Sequence, residues 1–165
     1  MTDPTPTPDL PASPPMREAA RLALENVLQG QGGTFGAVIV RDGEIVATAV
    51  NRVTQSGDPT AHAEVEAIRA ATRLLGRFHL SDCEIYTSCE PCPMCLGAIY
   101  WARLCALHYA CTQSDADAIG FSDEFIYGEI ARPHAERQLP TRQEGREEAL
   151  AAFRAWQGSV AKVEY

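Results

Sequence analysis

The chain has 165 residues, 45% hydrophobic and 22% charged, which suits one folded domain with a sizeable core. Acidic residues outnumber Lys plus Arg by 22 to 14, a net charge of −8 that argues against a polynucleotide gripped by its phosphates and for a small-molecule partner. No apolar run nears the roughly 20 residues of a membrane helix, and no basic stretch with an apolar run marks a secretory signal, so a cytoplasmic location without membrane contact is expected.

Residues 1–15 hold six of the eleven prolines and few apolar side chains, and read as a disordered or polyproline-like tail. The folded domain is expected over 16–165. Ala20, Ala23, Leu24, Val27 and Leu28 recur at helical spacing within 16–29, and Gly30, Gly32 and Gly33 stop that helix. Two apolar runs, 35–40 and 44–50, flank Asp42-Gly43, which is a hairpin signal. Residues 51–59 read as a polar loop. Thr60 offers an N-cap for a helix over 61–75, ended by Gly76. A strand follows at 83–88, then a helix to about residue 102 with Pro91 in its first turn, then a strand at 104–110. Helices near 121–131 and 144–156 close the chain. Strands alternating with helices predict a three-layer α/β/α sandwich around a mixed sheet, its later strands partly parallel.

The chemistry lies in His62-Ala63-Glu64 and in Pro91-Cys92-Pro93-Met94-Cys95. A catalytic zinc takes three protein ligands and keeps a fourth position open. His62, Cys92 and Cys95 supply one nitrogen and two sulfurs, and the start of a helix favours thiolates. Glu64 beside such a site is placed to shuttle protons for a water that the metal acidifies. Residues two apart do not share a helix face, so His62 and Glu64 converge only at the helix start. His-x-Glu followed by Pro-Cys-x-x-Cys is the pattern of zinc nucleobase deaminases. A structural-zinc module, with Glu64 idle, is the competing reading, and it lacks an evident fourth ligand. Cys89 is expected to pack near the metal turn without binding. Cys83, Cys105 and Cys111 read as small core hydrophobes, Asp115 and Asp117 as solvated loop charges, and His79, His108 and His134 as structural or surface residues.

These motifs resemble the cytidine-deaminase-like superfamily and, within it, the bacterial guanine deaminases. The likeness runs over about 33–165, through Phe35-Gly36-Ala37-Val38, Asp58-Pro59-Thr60-Ala61-His62-Ala63-Glu64-Val65, and Tyr86-Thr87-Ser88-Cys89-Glu90-Pro91-Cys92-Pro93-Met94-Cys95. The stretch Gly120-Phe121-Ser122-Asp123-Glu124-Phe125-Ile126-Tyr127 and the terminal Tyr165 point to guanine. The resemblance implies a cytidine-deaminase-like fold with one catalytic Zn2+ per subunit. Hydroxide generated at the zinc attacks C2 of guanine, Glu64 moves protons to the ring, and xanthine and ammonia result. It further implies that Asn51 and Ala63 contact the base, that Phe35 and Trp101 form apolar walls, and that Asp123 helps protonate the departing amine. It implies a domain-swapped homodimer in which Tyr165 closes the partner's pocket. From the residues alone, Asn51 reads equally as a turn residue, Asp123 as a helix cap, Phe35 and Trp101 as core aromatics, and Tyr165 as a frayed terminus. Another base, such as transfer-RNA adenosine, cytosine or a triazine, remains an alternative substrate.

Overall fold

The computed structural model describes residues 11–164, so part of the proline-rich stretch and Tyr165 lie outside the described residues. The chain divides after Phe121 into two units.

The first unit is a mixed four-stranded sheet with helices on both faces. In order it contains α1 (Pro14–Leu28), β1 (Gly36–Arg41), β2 (Glu44–Val50), a short α2 (Val53–Ser56), α3 (Ala63–Leu75), β3 (Cys83–Cys89), α4 (Pro93–Trp101), β4 (Ala106–Cys111) and a short α5 (Gln113–Asp117). The strand order is β2-β1-β3-β4; β1 runs antiparallel to both neighbours and β3 parallel to β4. The three-layer sandwich around a mixed sheet is therefore observed.

β1 is buried from Gly36 to Val40 because both of its faces are covered. Ala37 and Ile39 join Ala63, Ala67, Ala71, Ile85 and Ile99 in the core beneath α3 and α4. Val38 and Val40 face the other way, against Ala19 of α1. Asp42 and Gly43 take φ of 51° and 80°, the paired positive angles of a tight hairpin turn. Helix α1 lies so close to β1 that a Cβ on Gly36 would stand 2.3 Å from the Ala19 carbonyl oxygen. On α3 the buried side chains Ala63, Ala67 and Ala71 form a smooth stripe at i, i+4 and i+8. Gly76 ends that helix in a left-handed cap, φ 64°, as its position in the sequence indicates.

Several local expectations change. Helix α1 begins at Pro14 because Ser13 caps it, its side chain accepting from the Met16 amide. Thr60 does not cap α3. Its amide and hydroxyl both donate to Asp58 Oδ1, at 2.8 and 2.7 Å, so the chain stays out of helix until His62, which is the N-cap. Pro93, not Pro91, occupies the first turn of α4, with Cys92 as the N-cap. Asp115 is no idle loop charge: it forms a capping box with Thr112 at the start of α5. Cys83 is buried as expected, but Cys105 and Cys111 are exposed because β4 is an edge strand.

The second unit holds α6 (Glu124–Ala131), a 3-10 turn (His134–Glu136) and α7 (Arg146–Gly158). Neither α6 nor α7 has a buried residue. Phe153 and Ile130 are 67% and 59% exposed. Among the described residues, no helix is long and apolar enough to cross a membrane.

Candidate active site

Two helix N-termini meet at the site. His62 caps α3 and Cys92 caps α4, each in an extended conformation that turns its side chain off the helix end. Cys95 follows in the first turn of α4 and is fully buried. The Cys-x-x-Cys spacing thus wraps one turn around a point off the helix end, where unpaired amides and the helix dipole favour negative sulfur.

His62 Nδ1 lies 3.6 Å from Cys92 Sγ and 3.5 Å from Cys95 Sγ. The three ligand atoms lie within 4.8 Å of one another. Tetrahedral zinc, with bonds of about 2.3 Å to sulfur and about 2.0–2.1 Å to nitrogen, sets sulfur and nitrogen about 3.6 Å apart. The donor types and their spacing therefore fit zinc. Among the described residues no fourth His, Cys, Asp or Glu joins the group, which leaves one coordination position for a water or substrate atom. Cys89, the nearby alternative, instead donates to the Thr112 carbonyl at 3.6 Å.

The electrostatics of the pair support metal binding. The Cys92 thiol is held down to about 4, chiefly by the hydrogen bond from Cys95, with His62 assisting against burial. The Cys95 thiol is pushed far up by that same bond, by burial and by the Glu64 charge. The two sulfurs thus share one proton, and a bound dication displaces it.

Glu64 stands in the first turn of α3 and is only 8% exposed. Burial raises its carboxyl above the usual carboxylate range and the Cys92 charge adds to this, while its own amide, Cys95 and His62 pull it back. A carboxyl whose pKa is raised in this way is a stronger base toward a neighbouring proton than a solvated one. The His-x-Glu spacing works because His62 is the cap and not a helical residue. Upstream, the carbonyl of Ala61 accepts from the Arg52 amide at 2.9 Å, tying the approach to α3 to the loop after β2.

The other expected site residues are placed as follows. Asn51 is buried directly after β2; its amide donates to the Phe35 carbonyl at 3.0 Å, and its Oδ1 accepts from the Val53 amide at 3.2 Å. It therefore does perform the turn role, closing the start of α2. Ala63 is buried in the first turn of α3, next to both His62 and Glu64. Phe35 packs against the core and meets Phe121 edge-to-face at 4.9 Å. Trp101 ends α4 and is 69% exposed, six residues and about 9 Å along the axis from Cys95. Asp123 is the N-cap residue of α6 in the second unit, and its side chain makes no capping bond. Tyr165 lies outside the described residues.

Three buried polar residues near the site were not singled out in the sequence. Asn26 donates through Nδ2 to the carbonyls of Gly33 and Asn51. Ser88 Oγ accepts from the Gly36 amide at 3.0 Å, and Thr87 Oγ1 donates to the Cys89 carbonyl at 2.7 Å. The last two hold the strand end that leads into the Cys-x-x-Cys turn. Asn26 alone had a readable signal, a carboxamide on the same helix stripe as Ala19 and Ala23.

Comparisons with known proteins agree with this geometry. The family model for the cytidine and deoxycytidylate deaminase zinc-binding region matches residues 12–111. A guanine deaminase of Bacillus subtilis (strain 168) is 55% identical over 150 residues, covering 91% of this chain and 96% of that protein. A crystal structure of guanine deaminase from Bacillus subtilis superposes with a TM-score of 0.89 at 55% identity, covering 92% of this chain and 96% of that one. A tRNA-specific adenosine deaminase of Agrobacterium fabrum is 40% identical, over only 52% of this chain and 56% of its own. With its zinc-ligand geometry and full-length likeness, the chain belongs to the cytidine and deoxycytidylate deaminase zinc-binding family, on the branch that includes the guanine deaminases.

Proposed function

We propose that this chain is a zinc-dependent enzyme that hydrolyses guanine to xanthine and ammonia. The observation that carries the reading is the three-ligand zinc geometry with Glu64 buried beside it, in a chain alike over nearly its whole length to a guanine deaminase. His62, Cys92 and Cys95 would hold the zinc, which would supply Lewis acidity to activate a water at the site. Glu64 takes a proton as the water oxygen bonds to C2 and delivers it to the adjacent ring nitrogen. The C2–N bond then breaks, the second proton goes to the amine, and ammonia leaves. Asp123 assists that last transfer. Asn51 hydrogen-bonds the base, with Ala63 lining the floor and Phe35 and Trp101 contributing apolar surface. The net charge of −8 disfavours the transfer-RNA alternative.

An ammonia-release screen of the zinc-loaded protein over guanine, adenine, cytosine, their nucleosides and triazines tests the substrate. Guanine is expected to give the highest kcat/KM, by at least roughly 100-fold over bases that lack its hydrogen-bonding pattern. A higher kcat/KM for any other compound would reassign the substrate.

The reading extends to a cytoplasmic homodimer with exchanged C-terminal segments, Tyr165 of each closing the other's pocket. Its support is the second unit: α6 and α7 bury no residue although they carry Phe125, Ile130, Phe153 and Trp156. A short helical segment that leaves its large apolar side chains exposed is suited to a partner surface. Light scattering at micromolar concentration is expected to give twice the mass of one chain; a monomer at that concentration would refute the exchange.

A further inference from the structure

We infer that Asn26 is a positioning residue for the base, acting through Asn51. The assignment rests on Asn51 contacting guanine as proposed.

Asn26 stands in the last turn of α1 and is 4% exposed. It shares its helix stripe with Ala19 and Ala23, both buried, so an apolar side chain there would simply extend the core. A buried carboxamide is costly unless its hydrogen bonds are made. Here both amide hydrogens are committed. Nδ2 donates to the Gly33 carbonyl at 2.8 Å and to the Asn51 carbonyl at 3.0 Å. One side chain thus ties the glycine loop before β1 to the residue that follows β2.

That loop is closed tightly over the carboxamide. A Cβ on Gly32 would stand 2.5 Å from the Asn51 carbonyl oxygen and 2.9 Å from Asn26 Nδ2, so glycine is required for the approach. Asn51 is held at two further points of its own. Its amide donates to the Phe35 carbonyl, and its Oδ1 accepts from the Val53 amide. With its main chain fixed by Phe35 and Asn26 and its Oδ1 oriented by Val53, the Asn51 Nδ2 has one direction in which to point. It makes no hydrogen bond among the described residues, which leaves it for a ligand. Helix α1, packed on the sheet face opposite α3 and α4, thereby acts on the substrate side of the site.

The test is a double-mutant cycle on the zinc-loaded protein, with guanine as the probe, joined to amide hydrogen exchange. Asn26→Ala is expected to lower kcat/KM roughly 10- to 100-fold through a misplaced contact, with zinc content unchanged. In the Asn51→Ala background the same change is expected to matter less than about twofold. An equal loss in both backgrounds would reduce Asn26 to a stability role and overturn the inference. In exchange, the Asn51 and Val53 amides are expected to lose at least roughly 10-fold of their protection in Asn26→Ala while those of α4 keep theirs; unchanged protection at Asn51 and Val53 also overturns it. Should Asn26→Ala not fold, Asn26→Ser, which keeps one donor, is read in the same two ways and is expected to be intermediate. A wild-type protein inert toward guanine would sink the substrate reading instead, and the exchange arm then decides the role of Asn26 by itself.

Discussion

Replacing Glu64 with glutamine is expected to lower turnover of guanine by roughly 100- to 10,000-fold while zinc stays bound. The side chain sits in the first turn of α3, nine-tenths buried, beside three ligands that it does not join. Glutamine keeps the shape but neither accepts nor returns a proton at the required basicity. The stability readout separates this role from a structural one. The variant is expected to keep one zinc per chain and to melt close to the wild-type temperature, because glutamine fills the same buried volume. Wild-type turnover in Glu64→Gln would show that the proton shuttle lies elsewhere. A lowered melting temperature with lost zinc would mean that Glu64 serves the fold.

Removing a ligand is expected to do the opposite. Cys95→Ser replaces a fully buried sulfur whose spacing to His62 matches tetrahedral zinc. The harder, more weakly held oxygen fits the ion poorly, and the remaining Cys92 and His62 bind too weakly to hold it at micromolar concentration. Metal content is expected to fall from one per chain to near zero and guanine turnover with it. The stability loss can be bounded by linkage. A ligand present at about 1,000 times its Kd contributes about 4 kcal/mol, or roughly 8–16 °C for a chain of this size. Treating the wild-type protein with a chelator should reproduce the same shift, and added zinc should reverse it in wild type but not in Cys95→Ser. A variant that kept full zinc and activity would remove Cys95 from the ligand set.

The parts of this fold that were legible in the sequence are those where local chemistry has one solution. Asp42-Gly43 reads as a hairpin because both residues must take positive φ, and they do. The run from Gly36 to Val40 reads as a doubly covered strand, and helices lie on both of its faces. His62, Cys92 and Cys95 were readable because ligand type and spacing constrain a metal more tightly than most folds constrain a side chain. Where two local bonds compete, the sequence is ambiguous. Thr60 is a good cap residue, but Asp58 captures its amide and hydroxyl, and this pushes the helix start to His62. That shift matters, since it takes His62 out of the helix and lets it converge with Glu64. Likewise Pro91 and Pro93 both flank Cys92, and only the fold decides that Pro93 opens the helix.

What was not legible depends on contacts distant in sequence. The four residues of α2 carry no periodic signal, and their start is set by the Asn51 side chain. The exposure of Cys105 and Cys111 follows from β4 being a sheet edge, a matter of strand order and not of the apolar pattern around them. Asn26 meets Asn51 across 25 positions and was visible only as an odd carboxamide on an alanine stripe.

The central claim is hydrolytic deamination of guanine at the His62, Cys92 and Cys95 centre. It is tested most directly by incubating the zinc-loaded protein with guanine in ¹⁸O-labelled water and analysing the products by mass spectrometry. The account predicts xanthine carrying one ¹⁸O atom at C2, with one ammonia released for each xanthine formed. Unchanged guanine, or xanthine without the label, would contradict it.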